Sequence, residues 1–486
     1  MFANNWLAGT LELTSKVRYG LTSRGTPIFR FIPYDKRFPP MAVGCSQRNL
    51  FYNIHAIVEP TNQPTRQGEL PKATIVQTLG VPSPTTELQV LLATYAYDSK
   101  KELRPAQSQA LLPEEAQEEN RTFLQGLTFH IDPPGCKDVD DSFTVSYNSV
   151  TTVAINIADV AKYVLEGSSL DTEAAARAST FYTPAGEAAQ PMFPKALSES
   201  AFSLLPGRPK PTLSLCFEVG PEGQPVNPRW LLTYTETTIS YTYDEAQAAI
   251  PTSPELKVLE RVAAALASPS AAADPDTHTI VERLMIYYNQ QAGHMLAQAG
   301  VGLLRRHAKA AAQVQIPGVP EFLAYESAEF CLPTDEDTAH HGLGSSTYAY
   351  ASSPIRRYAD LLNQRAIKSL LHKQTISPLT QATVDDLNRR QKQAKAFQRD
   401  LFFMTNLSVA SSTSVKGIVM YVNEEKRKAR IWVPDWKTTI NAKSLQLDAA
   451  IVPGASVRIQ WYEDRGAARW KEKIVFKVDA SDVEGR

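Results

Sequence analysis

Short runs of alternating or apolar residues and longer runs of helical period divide this chain into three stretches. Five strand-like runs come first: Gly9 to Val17, Pro27 to Ile32, Met41 to Val43, Leu50 to Val58 and Thr74 to Leu79. Pro, Gly and polar clusters break each from the next, the pattern of a small antiparallel barrel. A helix is expected over Glu87 to Tyr97, and Arg104 to Glu119, rich in Pro, Ala, Gln and Glu, reads as a connector. Strands then mix with longer helices up to about residue 408. The last of these helices, Val384 to Met404, is unusually basic, with Arg389, Arg390, Lys392, Lys395 and Arg399. Beyond it lie five more short strand patterns: Val415 to Val422, Ala429 to Val433, Thr438 to Ile440, Ser456 to Tyr462 and Ile474 to Val478. Five strands in so small a segment suit an OB-fold barrel. The fold class is therefore α+β: a barrel over 1–110, a mixed α/β domain over 111–410 and a second barrel over 411–486.

Composition changes this picture little. A chain of 486 residues has room for two or three domains, and 43% hydrophobic content is that of a globular protein. No stretch approaches the length of a membrane span, and Met1 to Trp6 carries no basic segment followed by a long apolar one. Cys45, Cys136, Cys216 and Cys331 are too scattered for a disulfide framework or a zinc module, which points to a reducing, intracellular compartment. The net charge of −1 gives no vote for a polyanionic partner, although a channel needs only local positive charge.

Candidate chemistry concentrates in two places. Asp132-Pro133-Pro134-Gly135-Cys136-Lys137-Asp138-Val139-Asp140-Asp141 packs four carboxylates into one loop between strand-like runs. Carboxylates so crowded repel one another unless cations hold them, and Mg²⁺ prefers such oxygen donors. A calcium loop is excluded by the spacing of Gly and Glu. A solvated turn fits the loop alone equally well. The second place is Ser353-Pro354-Ile355-Arg356-Arg357-Tyr358. Ser353 is placed to cap a helix that Pro354 begins, with both arginines in its first turn, where an anion is favoured. In the last stretch, Tyr421, Trp432 and Trp436 interleave with Lys426, Arg427, Lys428 and Arg430, the mixture that base stacking and phosphate binding require.

Together these motifs resemble the RNB family, the bacterial ribonucleases II and R and the hydrolytic catalytic subunit of the eukaryotic exosome. The resemblance runs from about Leu112 to Leu371 and includes Ile155 to Val160, Phe181-Tyr182-Thr183-Pro184, Pro191-Met192-Phe193-Pro194 and Ile280 to Met285. Asn156 and Gln364 stand where the family usually has His, and Arg283 stands where it often has a second acid. The resemblance implies an RNB-type catalytic domain between OB-like barrels. It implies a 3′→5′ exoribonuclease that hydrolyses single-stranded RNA to 5′-mononucleotides without sequence preference. Asp132, Asp138, Asp140 and Asp141 would hold two Mg²⁺ ions, with Mn²⁺ as a substitute. Arg356 would neutralise the scissile phosphate, Arg357 would assist in gripping it, Tyr182 would pack on the 3′-terminal nucleotide and Glu282 would contact its sugar. The expected partner is single-stranded RNA, with no membrane, and the chain is expected to act as a monomer. Family members generally carry two N-terminal barrels, and this chain has room for one. The opposing expectation is an RNA-binding protein of the same fold whose catalysis has decayed. The presence of all four carboxylates favours activity.

Overall fold

A computed structural model describes residues 6–61, 68–96, 120–267, 275–308, 316–320, 323, 327–409, 414–443, 451–464 and 467–478. The proposed connector, Arg104 to Glu119, lies outside these residues.

Strands β1 (Leu7–Leu11), β2 (Ile28–Pro33), β3 (Met41–Gly44), β4 (Ile54–Pro60) and β5 (Lys72–Gly80) close into a barrel of order β1-β2-β3-β5-β4. Its interior holds Leu11, Phe29, Phe31, Val43 and Val58, the alternate positions of the sequence pattern. Two strands differ from expectation. The first ends at Leu11, and the fourth begins at Ile54, because Phe51 and Tyr52 stand exposed in the preceding loop. Helix α1 (Pro84–Tyr95) starts three residues before its expected position, because Ser83 and Thr86 form a reciprocal cap.

The central stretch is built on a seven-stranded sheet. Its strands are β6 (Thr122–Phe123), β7 (Leu127–Asp132), β8 (Asp141–Tyr147), β9 (Thr151–Ala158), β12 (Lys210–Val219), β13 (Pro225–Thr235) and β14 (Ile239–Thr242). Their order is β14-β7-β8-β9-β12-β13-β6. Two small ladders, β10 (Phe181–Tyr182) with β11 (Ala188–Gln190) and β15 (Leu304–Arg306) with β16 (Glu329–Cys331), lie outside it. Helices α2 (Ser169–Arg177), α3 (Tyr243–Ala249), α4 (Pro254–Ala265), α5 (Thr277–Ala299) and α6 (Tyr358–Leu371) belong to the same region. One sheet face buries Phe129, Phe143, Ile155 and Leu215 against α4 and α5 through Leu259, Ile280, Leu284 and Tyr288.

The opposite face is polar yet buried, and a hydrogen-bonded chain satisfies most of it, with the Thr235 hydroxyl left without a partner among the described residues. Thr128 Oγ1 pairs with Thr144 Oγ1 at 2.7 Å, and Asn156 donates to Thr144 at 2.9 Å. Ser214 donates to Asn156 Oδ1 at 2.7 Å and meets Thr233 at 2.7 Å. Each partner offsets a desolvation cost that would otherwise destabilise the sheet. Asn156, the departure from the family pattern, is thus fully paired.

Strands β17 (Ser414–Asn423), β18 (Lys428–Val433), β19 (Thr438–Lys443), β20 (Ser456–Glu463) and β21 (Ile474–Lys477) close a second barrel, near the expected positions. The two barrels meet. Helix α7 (Gln381–Val409) and α1 share one core with both, joining Ala8, Val90 and Leu91 to Phe397, Leu401, Val457 and Ile459. Arg469 donates to Pro33 O at 2.9 Å, Thr10 donates to Ala468 O at 2.7 Å, and Lys473 pairs with Glu87. No helix among the described residues is long and apolar enough to cross a membrane. All four cysteines are free.

Candidate active site

β7 carries its apolar residues into the core and ends at Asp132. Pro133 and Pro134 then fix the backbone, Gly135 takes a φ of +78°, and Cys136 N–H closes the turn on Pro133 O at 3.1 Å. Val139 pins the far side of the loop. It is fully buried, its N–H donates to Ser203 Oγ at 3.0 Å, and its carbonyl accepts from Leu204. Asp138 and Asp140 flank that anchor, and Asp141 begins β8.

Each carboxylate has a distinct setting. Asp140 is 3% exposed and accepts Ile355 N–H at 2.8 Å and Arg356 Nε at 3.1 Å. Burial pushes its carboxyl up to about 7, against the pull of Arg356 and the Ile355 N–H, and Asp138 adds to the rise. Asp141 is raised well above the carboxylate range by burial and by the charges of Asp132 and Asp140. Asp138 accepts from the Tyr182 hydroxyl, whose own proton burial and Asp138 hold tightly. Asp132 Oδ2 meets His130 Nδ1 at 2.8 Å. Burial, Asp132 and Asp138 also raise the Cys136 thiol, which stays protonated.

The loop therefore holds more negative charge than its surroundings offset. In chemistry this donor set fits a hard divalent cation: four carboxylates, with a pair of them driven toward protonation by burial and mutual repulsion. As the side chains stand, no three acidic, imidazole or thiol groups among the described residues converge closely enough to hold an ion. The oxygens of Asp132, Asp138 and Asp140 are turned to His130, to Tyr182, and to Ile355 and Arg356 respectively.

The arginine segment departs from expectation. The helix α6 begins at Tyr358, and residues 353–356 form a turn followed by extended Arg357. Arg356 O accepts Thr180 N–H, and Tyr358 N–H reaches Ala178 O, each at 2.9 Å. This pairing with the strand segment leading to Tyr182 wins over an earlier helical start. Ser353 does not cap: its N–H donates to Asp360 Oδ1 at 2.8 Å, and its hydroxyl accepts from Arg356 Nη2 at 3.1 Å. Only Arg356, 43% exposed, bonds to the acidic loop. Arg357 instead holds Asp360 at 2.7 Å and lies 4.1 Å from the Tyr350 ring centroid, although its charge still reaches Asp140 and Asp141.

Glu282 is not brought into contact with the loop. It is exposed on α5, which Asp276 caps and which begins at Thr277, two residues before the expected start near Thr279. Its neighbour Arg283 turns away and donates to Ala263 O at 3.0 Å, joining α5 to α4. Gln364 is fully buried and spans two backbone groups, accepting from Ala161 N–H at 2.9 Å and donating to Ala158 O at 2.8 Å. In the second barrel, Trp432 is buried and Trp436 packs half-buried against the core, whereas Tyr421 and the basic hairpin are exposed. The basic helix is partly neutralised: Arg389 and Arg390 pair with Asp386, and Arg399 pairs with Asp400.

Three residues beside the loop were not expected. His130 was legible in part, because it lies two positions before Asp132 and a strand puts such residues on one face. Tyr243 and His278 stack at 3.7 Å between ring centroids in the first turns of α3 and α5. Burial, Asp141 and Asp132 push the Tyr243 hydroxyl up to about 12, so this platform borders the loop. No local pattern marks it.

Comparison with known proteins follows the same lines. The model of the RNB domain matches residues 121–274 and 319–373. The exosome complex exonuclease RRP44 of Mus musculus is 27% identical over 487 aligned residues, covering 80% of this chain and 50% of that protein. The chain thus spans about half the length of the curated relatives it matches. The fold is that of Mycoplasma genitalium RNase R, solved with ribose-methylated single-stranded RNA, at a TM-score of 0.75 and 15% identity, covering 98% of this chain and 90% of that one. Yeast Ssd1, described as a pseudonuclease, aligns with a TM-score of 0.71 at 17% identity, covering 91% of this chain and 65% of that one.

Proposed function

We propose that this chain, whose residues 121–274 and 319–373 match the model of the RNB domain, is a 3′→5′ exoribonuclease hydrolysing single-stranded RNA to 5′-mononucleotides without sequence preference. The observation that carries this reading is one cluster: four loop carboxylates bordered by Arg356 and Tyr182. Two Mg²⁺ ions, or Mn²⁺ in their place, would supply an activated water and charge neutralisation at the phosphate when held by Asp132, Asp138, Asp140 and Asp141.

The remaining chemistry belongs to side chains. Arg356 spends Nε on Asp140 and Nη2 on Ser353, and Nη1 makes no hydrogen bond among the described residues. That group would meet the charge developing on the scissile phosphate, a role worth several kcal/mol where such donors have been removed. Tyr182, hydrogen-bonded to Asp138, would offer its ring to the terminal base, and any base stacks on an aromatic face. Arg357 would hold Asp360 and the turn, adding long-range charge and no direct grip. Glu282 would reach the terminal sugar only if the bound strand extends to the exposed face of α5.

A second reading, an RNA-binding protein without catalysis, draws on the fold shared with the pseudonuclease Ssd1. The intact carboxylate set supports the first. The test compares a linear 5′-labelled oligoribonucleotide with a closed circle of the same sequence, in Mg²⁺. The linear strand should shorten stepwise from its 3′ end while the circle persists. Rapid cleavage of the circle would contradict an end-dependent enzyme.

A further inference from the structure

Strand β7 brings a second side chain to the acidic loop. His130 and Asp132 are two residues apart on one strand and so share a face. The imidazole is 4% exposed and both its nitrogens are occupied. Nδ1 lies 2.8 Å from Asp132 Oδ2, and Nε2 lies 2.7 Å from Ser240 Oγ on β14, which pairs with β7 with Ser240 opposite His130. A neutral ring satisfies both contacts in one way. Nδ1–H donates to the carboxylate, and Nε2 accepts the Ser240 hydroxyl proton.

We propose that His130 is a positioning residue for the loop: with Ser240 fixing its tautomer, it holds Asp132 through Oδ2 and leaves Oδ1 for a divalent cation. The proposal rests on the reading of the loop as a metal site. Three features set this contact apart from ordinary core satisfaction. A buried imidazole could pair with backbone, yet this one is spent on the first carboxylate of the loop. Its other nitrogen is locked by a hydroxyl from the neighbouring strand, so the ring has no second orientation that keeps both bonds. Asp132 itself is 18% exposed and sits at the end of its strand, where the other group that holds it is the weak thiol donor of Cys136. Groups that orient metal ligands in this way typically contribute about 10- to 100-fold to metal affinity.

The test is Mn²⁺ binding to the full chain, followed by loss of the free-ion EPR signal, in the absence of RNA. His130→Phe keeps an aromatic ring without the donor and should weaken Mn²⁺ binding by about 10- to 100-fold. His130→Asn, whose amide can still donate toward Asp132, should recover most of that loss, which a packing role would not. Ser240→Ala should weaken binding less than His130→Phe, and it carries the test if the phenylalanine variant fails to fold. Parent-like affinity in both His130→Phe and Ser240→Ala would overturn the proposal, as would equal losses in His130→Phe and His130→Asn. Asp132→Asn separates the two levels of the argument. If it leaves Mn²⁺ binding unchanged, or the parent binds no Mn²⁺, the metal-site reading fails and takes the proposal with it.

Discussion

Two buried aspartates of this chain meet opposite fates, and their neighbours decide which. Burial raises both carboxyls. Asp159, however, lies between Lys368 at 2.8 Å and Arg121, which overcome that rise and hold it below the ordinary range. Asp140 has one ion-pair partner, the half-exposed Arg356, and even with the Ile355 N–H and the more distant charge of Arg357 it is pushed up to about 7. Asp159 is therefore a structural anion, lodged between the sheet and α6, whereas the charge of Asp140 is left incompletely offset. A group whose folded value is depressed adds stability above its unfolded value, near 3.9, and that stability is lost as pH falls through the folded value. Asp159→Asn should cost about 3–5 kcal/mol at pH 7, because two buried cations lose their shared anion. The gap to the parent should narrow as pH is taken below about 4, measured by denaturant unfolding at several pH values. A gap independent of pH would show that packing and not charge is at stake. At this scale the acidic loop was legible because its carboxylates are local in sequence. The Tyr243–His278 platform was not, because only the packing of α3 beside α5 brings the rings together.

At the level of elements, alternation located both barrels well, since a closed barrel has one buried face and the side-chain period of two records it. Helix starts were less legible. Pro354 after Ser353 is a sound helix signal, yet pairing of Arg357 and Tyr358 with residues 178–180 postpones α6 to Tyr358. Long-range pairing of this kind leaves no local mark. The basic hairpin joining β17 to β18 exposes Lys426, Arg427, Lys428 and Arg430 beside Tyr421, and the proposed function makes it a surface for the RNA backbone. Replacing those four cations with alanine should lower affinity for long single-stranded RNA. The salt dependence should also flatten, by about 0.7 in log–log slope for each phosphate that the hairpin no longer neutralises. Fluorescence anisotropy across a salt series measures both. An unchanged slope would assign the grip to other surfaces, such as exposed Lys392 on α7.

Across the whole molecule, the two barrels and α1 and α7 form one body. The sequence separates three stretches but carries no sign that the outer two share a core, because Phe397 and Leu401 pattern as an ordinary helix face. Removing the second barrel would strip that core from α7, so surface substitution, and not deletion, isolates its contribution to binding. The same architecture is found in RNase R and in a pseudonuclease, and fold by itself therefore leaves catalysis undecided. The acidic loop carries the case for catalysis, and its carboxylates are where that case is tested. The most direct measurement follows a 5′-labelled single-stranded oligoribonucleotide with Mg²⁺, using the parent chain and Asp140→Asn, with RNA binding measured for both. The account predicts stepwise shortening by the parent. In Asp140→Asn, cleavage should be abolished and binding equal or tighter, because one negative charge facing the phosphate is gone. Intact RNA with the parent chain, or near-parental turnover by Asp140→Asn, would contradict it.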